Sequence, residues 1–210
     1  MKDFGNLLEG YRRFRANRYQ SEKALWRELA EGQSPRAVII ACSDSRADPA
    51  IVFDTDPGEI FVIRNVANLV PPFEQGGGRH GVSAALEFAV TQLEVPEIIV
   101  MGHEKCGGIN AALTGRFRDA PVGQGGFLAG WMEQIDERAT QIAQAHGTGD
   151  TAAQLLEEDA IRQSLANLRS FPFVAEREKS GALALLGCHF SIAEGCLYLL
   201  DEAEGEFRPV

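Results

Sequence analysis

Apolar positions in the first thirty residues recur every three or four places. Phe4, Leu7, Leu8, Tyr11 and Phe14 fall on one face of a helix expected over 3–19, and a second helix is expected over 22–31, ending near Gly32. The pattern then changes. Short apolar runs at 37–42 (AVIIAC), 60–64 (IFVIR), 97–101 (EIIVM) and 182–188 (ALALLGC) read as strands covered on both faces. A fifth run, 196–200 (CLYLL), follows after only seven residues, a gap that suits a hairpin and an antiparallel partner. Helical stretches at about 80–94 and 107–114, and two or three more between 126 and 178, lie between these runs. The alternation predicts an α/β fold. It has a mainly parallel central sheet of about four strands plus an antiparallel edge strand, flanked by helices, with an N-terminal helical arm. Sheets of this kind bind ligands at the carboxyl ends of their strands. A single domain is expected, with an arm at 1–31, a core at 33–115, and C-terminal helices and last strands at 126–210. GGG at 76–78 and GQGG at 123–126 are expected to be flexible loops without phosphate-binding spacing.

Composition narrows the class. The 210 residues are 45% hydrophobic and 24% charged, with a net charge of −10. That balance argues against general nucleic-acid binding, which needs a basic face. The local exception, YRRFRANR at 11–18, is expected to be a solvated or interface helix face. No apolar run approaches the ~18 residues of a membrane span, and no signal-peptide core is present, so a cytoplasmic location is expected. In that reducing compartment, cysteines 42, 106, 188 and 196 read as metal ligands or buried thiols rather than disulfides.

Chemistry gathers at two strand ends. ACSDSR (41–46) sets Cys42, Asp44 and Arg46 at alternate positions, which share a face while the backbone stays extended. EIIVMGHEKCGG (97–108) sets His103 and Cys106 three apart, just past the end of the third strand. Adjacent parallel strands lie about 4.8 Å apart, close enough for Cys42 to join them. Two cysteines and a histidine form a zinc set. Three readings stay open: a catalytic metal with a free fourth position, a structural metal closed by Asp44, or buried thiols without metal. A bidentate Arg46 would hold Asp44 oriented and ionised, and the helix after Cys106 would offer N–H groups to a thiolate. Both features favour catalysis. Of the remaining groups, His80 is a minor candidate for moving protons, His146 reads as surface, His189 as strand, and Cys188 and Cys196 as packing around the hairpin.

These motifs resemble the β-class carbonic anhydrases. The match rests on C-x-D-x-R as CSDSR (42–46) and H-x-x-C as HEKC (103–106). It extends through PGEIFVIRNVANLVPP (57–72), GVSAALEFAV (81–90) and GHEKCGGINAAL. The resemblance implies reversible hydration of carbon dioxide to bicarbonate and a proton by zinc-bound hydroxide. It implies one zinc on Cys42, His103 and Cys106, with Asp44 and Arg46 as a catalytic dyad. It also implies substrate contacts from Gln33, Phe61, Phe88 and Gly107, where Phe88 lacks the hydroxyl of a tyrosine often found there. One branch of the family binds inhibitory bicarbonate through a tryptophan, an arginine and a tyrosine. The corresponding residues are Ile39, Arg64 and Phe190, which implies the plant-like open branch, with Asp44 paired to Arg46. The implied partner is a second copy, as a homodimer or dimer-based tetramer, with no nucleic acid and no membrane. Two alternatives remain: hydrolysis of a carbon dioxide analogue such as carbonyl sulfide or carbon disulfide, and a non-catalytic zinc-stabilised binding protein.

Overall fold

A computed structural model describes residues 4–76, 78, 80–116, 118 and 126–210. The chain forms two compact units that meet in sequence at Ser34 and Pro35. The first holds α1 (Phe4–Ala16), α2 (Arg18–Ser21) and α3 (Lys23–Glu31). Phe14, Tyr19 and Trp26 hold these helices together, with Phe14 and Trp26 edge to face at 5.3 Å. The rest of the α1 stripe is open, and Phe4, Leu7 and Tyr11 are all exposed. Gln33 lies exposed in the segment after α3.

The second unit is a six-stranded sheet of order β2-β1-β3-β4-β5-β6. Its strands are β1 (Ala37–Cys42), β2 (Ile60–Asn65), β3 (Glu97–His103), β4 (Ala184–Ser191), β5 (Cys196–Asp201) and β6 (Glu206–Pro209). The first four are parallel and the last two antiparallel. The helices are α4 (Pro49–Val52), α5 (Gly81–Thr91), α6 (Gly107–Leu113), α7 (Gly126–His146), α8 (Asp150–Leu168) and α9 (Pro172–Lys179). Alternation along β1 sorts its side chains. Val38 and Ile40 join Leu86, Ile98, Val100, Ile161 and Leu165 in the main core. Ile39 and Ala41 turn the other way, to Met101, Cys188 and Phe190. Each fully buried aliphatic side chain contributes about 1.5–3 kcal/mol.

Three expectations shift. β3 runs on to His103, so the imidazole ends the strand rather than following it. Coverage of the sheet is uneven: Val62 on the edge strand β2, Leu186 in the alternating first half of β4 and Leu199 on the half-buried β5 are exposed. A sixth strand, β6, pairs with β5 and forms the other edge. Of the two glycine loops, Gly77 and residues 123–125 lie outside the described residues, whereas Gly126 opens α7.

Glycine lets α8 approach the sheet. A Cβ on Gly102 of β3 would sit 2.7 Å from Ile161 Cδ1, and one on Gly187 of β4 would sit 2.8 Å from Ile161 Cγ2. After β2, a short 3₁₀ turn (Val66–Asn68) carries Ala67 at φ 65° and Asn68 at φ 49°, in the left-handed region that L-residues rarely enter.

Candidate metal centre

β1 and β3 run side by side, with Ala41 opposite Met101, so their carboxyl ends bring Cys42 and His103 together. The turn after β3 returns Cys106 to the same point through Lys105, which takes φ 58°. The donor atoms of Cys42, His103 and Cys106 all lie within 4.8 Å of one another, and all three residues are buried. The two sulfurs are 3.9 Å apart. His103 Nδ1 is 2.9 Å from the Glu104 carbonyl. Donation there leaves Nε2 as the bare nitrogen, and Nε2 is buried with no hydrogen-bond partner among the described residues. An orphaned imidazole nitrogen facing two thiols is the arrangement a zinc ion satisfies.

The electrostatics agree. A hydrogen bond from Cys106 draws the Cys42 pKa down against the effect of burial, helped by His103 and by the backbone at Asp44 and Ala67. The same contact, together with burial, pushes Cys106 up, while the backbone N–H groups of Gly108 and Ile109 work toward its thiolate. Burial disfavours a charged His103, but Cys42, the Glu104 carbonyl and Asp44 raise its pKa on balance.

Asp44 and Arg46 do meet, though not along an extended strand. β1 stops at Cys42 and the chain turns, with Asp44 Oδ1 accepting the Arg46 backbone N–H at 2.9 Å. The guanidinium then closes on the carboxylate with Nε–Oδ1 at 3.0 Å and Nη2–Oδ2 at 2.7 Å. These side-chain bonds hold the Asp44 carboxyl well below the usual carboxylate range. Its Oδ2 lies 4.0 Å from His103 Nε2.

Arg64 fastens this turn from β2. It donates to the carbonyls of Cys42 (2.9 Å) and Asp44 (2.6 Å) and to Asp48 Oδ2 (2.6 Å). Asp48 in turn caps α4 through the Ala50 N–H. The sequence offered Arg64 only as the remnant of a bicarbonate site, and its work as a brace shows only once β2 lies beside β1. Glu157 carried no sequence signal either. It is a buried carboxylate on α8 whose Oε1 accepts the Cys106 N–H at 3.0 Å.

The expected substrate contacts separate into groups. Gly107 opens α6 beside Cys106, and a Cβ there would meet nothing within 4 Å. Phe61 and Phe88 touch each other, with ring centroids 6.0 Å apart, but stand elsewhere. Phe61 pairs with Val38, whereas Asn65 pairs with Cys42. Four residues of strand put Phe61 about 13 Å from the metal end. Ile39 and Phe190 pack on the opposite face of the sheet. His80 precedes α5, and His146 ends α7. Cys188 is buried on β4, and all four cysteines are free. Among the described residues, no helix is long and apolar enough to cross a membrane.

Comparison with known proteins agrees with this geometry. The sequence model of the carbonic anhydrase family matches residues 37–197. A carbonic anhydrase of Pseudomonas aeruginosa is 38% identical over 204 residues, covering 96% of this chain and 90% of its own. The solved β-carbonic anhydrase CcaA superposes with a TM-score of 0.92 at 30% identity, over 100% of this chain and 93% of that one. A tetrameric β-carbonic anhydrase of Sordaria macrospora gives a TM-score of 0.80 at 25% identity, over 96% and 98%. The chain belongs to the carbonic anhydrase family, in its β class, whose zinc-dependent reaction is the reversible hydration of carbon dioxide.

Proposed function

We propose that Cys42, His103 and Cys106 hold the zinc and that Asp44 and Arg46 direct the reaction beside it. The observation that carries this reading is the orphaned His103 Nε2 facing two thiols, with a locked carboxylate 4.0 Å away. Bound zinc would supply a Lewis acid that eases the loss of a proton from water, tempered by two anionic sulfurs. Asp44, held ionised by Arg46, accepts a hydrogen bond from the attacking water and turns a lone pair toward carbon dioxide. The Gly107 N–H orients the substrate oxygen. The water oxygen bonds to carbon, one proton passes to buffer, and bicarbonate leaves. Because the carboxylate is committed to Arg46, the reading is the open arrangement.

Gln33, Phe61 and Phe88 complete the pocket in this proposal, and the strand register supports a contribution across a subunit boundary. Phe61 cannot reach the metal end of its own sheet, so the aromatic wall belongs to the site of a second copy. The tetrameric relative from Sordaria macrospora and the exposed α1 stripe of Phe4, Leu7 and Tyr11 support such assembly. Residues 1–31 are then an arm of a single-domain chain that works as a dimer or dimer-based tetramer. Four free thiols suit a cytoplasmic location.

The test is stopped-flow carbon dioxide hydration on zinc-quantified protein between about pH 6.5 and 9. Activity that persists near neutrality in proportion to zinc is the expected result. Activity confined to high pH would overturn the open arrangement. No activity at full zinc, with turnover of carbonyl sulfide instead, would overturn the substrate assignment.

A further inference from the structure

Among the charged residues of α8, only Glu157 is buried, at 3% exposure. A buried carboxylate is costly unless both oxygens are satisfied, and here both are. Oε1 accepts the Cys106 backbone N–H at 3.0 Å, and Oε2 lies 3.0 Å from Nε2 of His189, which is 4% exposed on β4. Cys106 is the residue that caps α6, so its N–H is one the helix itself leaves unpaired. The residue before it, Lys105, sits in the left-handed region at φ 58°. The backbone at Cys106 is thus pinned by Glu157. Glu157 and His189 also line a polar cavity of about 330 Å³ with Glu104, Lys105 and Tyr198, so solvent stands close behind this clamp.

We propose that Glu157 is a positioning residue for the metal centre: its carboxylate fixes the Cys106 backbone, and through it the Cys106 sulfur, while His189 keeps the carboxylate aimed. The inference rests on Cys106 being a zinc ligand. Glu157 touches neither metal nor substrate, so its effect is on retention and geometry of the bound ion.

The experiment measures zinc release to a chromogenic chelator from the intact protein, and the visible spectrum of its cobalt(II)-substituted form, at a temperature well below unfolding. Glu157→Leu removes the acceptor, and zinc release is expected to accelerate at least about tenfold with a shifted cobalt spectrum. Glu157→Gln keeps an acceptor for the Cys106 N–H and is expected to stay within about threefold of wild type. Glu157→Asp keeps the charge but is one methylene short of spanning Cys106 and His189, and it too should release zinc faster. The Asp variant decides the matter if the Leu variant does not fold. Wild-type release and spectrum in the Leu or Asp variant would overturn the role of Glu157, as would a Gln variant as impaired as Leu. A purely structural role would lower Tm and leave release and spectrum unmoved. Wild-type protein that takes up no zinc would overturn the ligand assignment together with this inference, whereas zinc held equally by all variants overturns the inference alone.

Discussion

Asp44 takes three hydrogen bonds from Arg46, one from the backbone and two from the guanidinium. Asp44→Asn keeps the shape and removes the charge, so zinc content should hold while kcat/KM falls by about 100-fold or more, read by stopped-flow assay beside metal analysis. The depressed pKa gives the pH dependence its sign. A carboxylate lowered in the folded state adds stability above its unfolded pKa of about 3.9 and loses it only as pH falls through the lower folded value. Asp44 therefore stays ionised through the working range, and its Asn variant should show the wild-type pH profile at reduced height. Cys106→Ser should lower zinc content, since a hydroxyl is a poor zinc donor at neutral pH. Burial pushes the Cys188 thiol up to about 12, so it should resist alkylation in the folded protein at pH 8, while the half-buried Cys196 reacts. Peptide mass mapping after brief iodoacetamide treatment checks this.

At the scale of elements, α8 is the strut behind the metal end. It lies against Gly102 and Gly187, and a methyl at Gly187 would meet Ile161 and Leu165. Gly187→Ala should cost about 1–3 kcal/mol by overpacking, measured by urea unfolding. The end of α8 is tied by Arg169, which bonds Glu178 of α9 and Glu202 beyond β5. Arg169 lowers the Glu202 pKa, so this pair stabilises the fold above the unfolded pKa of about 4.3, and the gain is lost as pH falls through the lower folded value. Glu202→Gln should flatten the loss of stability on acidification toward pH 3, by about 1 kcal/mol or less because the pair is partly solvated, as read by urea unfolding across that range.

The sequence was most informative where chemistry and pattern coincide. AVIIAC and EIIVMGH carry both the strand signal and the ligands, so the parallel sheet and the cluster at its carboxyl ends were legible from the chain. β6 was not, because EFRP holds a single large apolar residue and pairs through its backbone. The turn at 66–68 was hidden because an alanine, not a glycine, takes the left-handed conformation. The meeting of Asp44 with Arg46 was foreseen, but through strand alternation; a local turn achieves it instead. The bracing role of Arg64 and the whole of Glu157's were invisible because their partners are distant in sequence.

For the whole molecule, the separation of Phe61 from the metal end makes assembly part of catalysis in the proposed function. A Cys42→Ser copy lacks a metal ligand, and a Phe61→Ala copy lacks the aromatic wall. Each alone should be nearly inactive or impaired. Dissociated, mixed and reassembled, they should recover activity, because a mixed pair rebuilds one intact site. Mixtures no more active than the average of their parents would argue for self-contained sites.

The two margins of the sheet differ in kind. The β6 margin is four residues long, carries Glu206 and Arg208, and ends in Pro209, which has no N–H to offer an incoming strand. Charge and proline are what keep an open strand from recruiting others. The consequence is colloidal: when the protein is crowded or briefly loosened by heat, this margin should not seed fibrillar growth. Any turbidity on heating should then come from the apolar surfaces around α1 and β2.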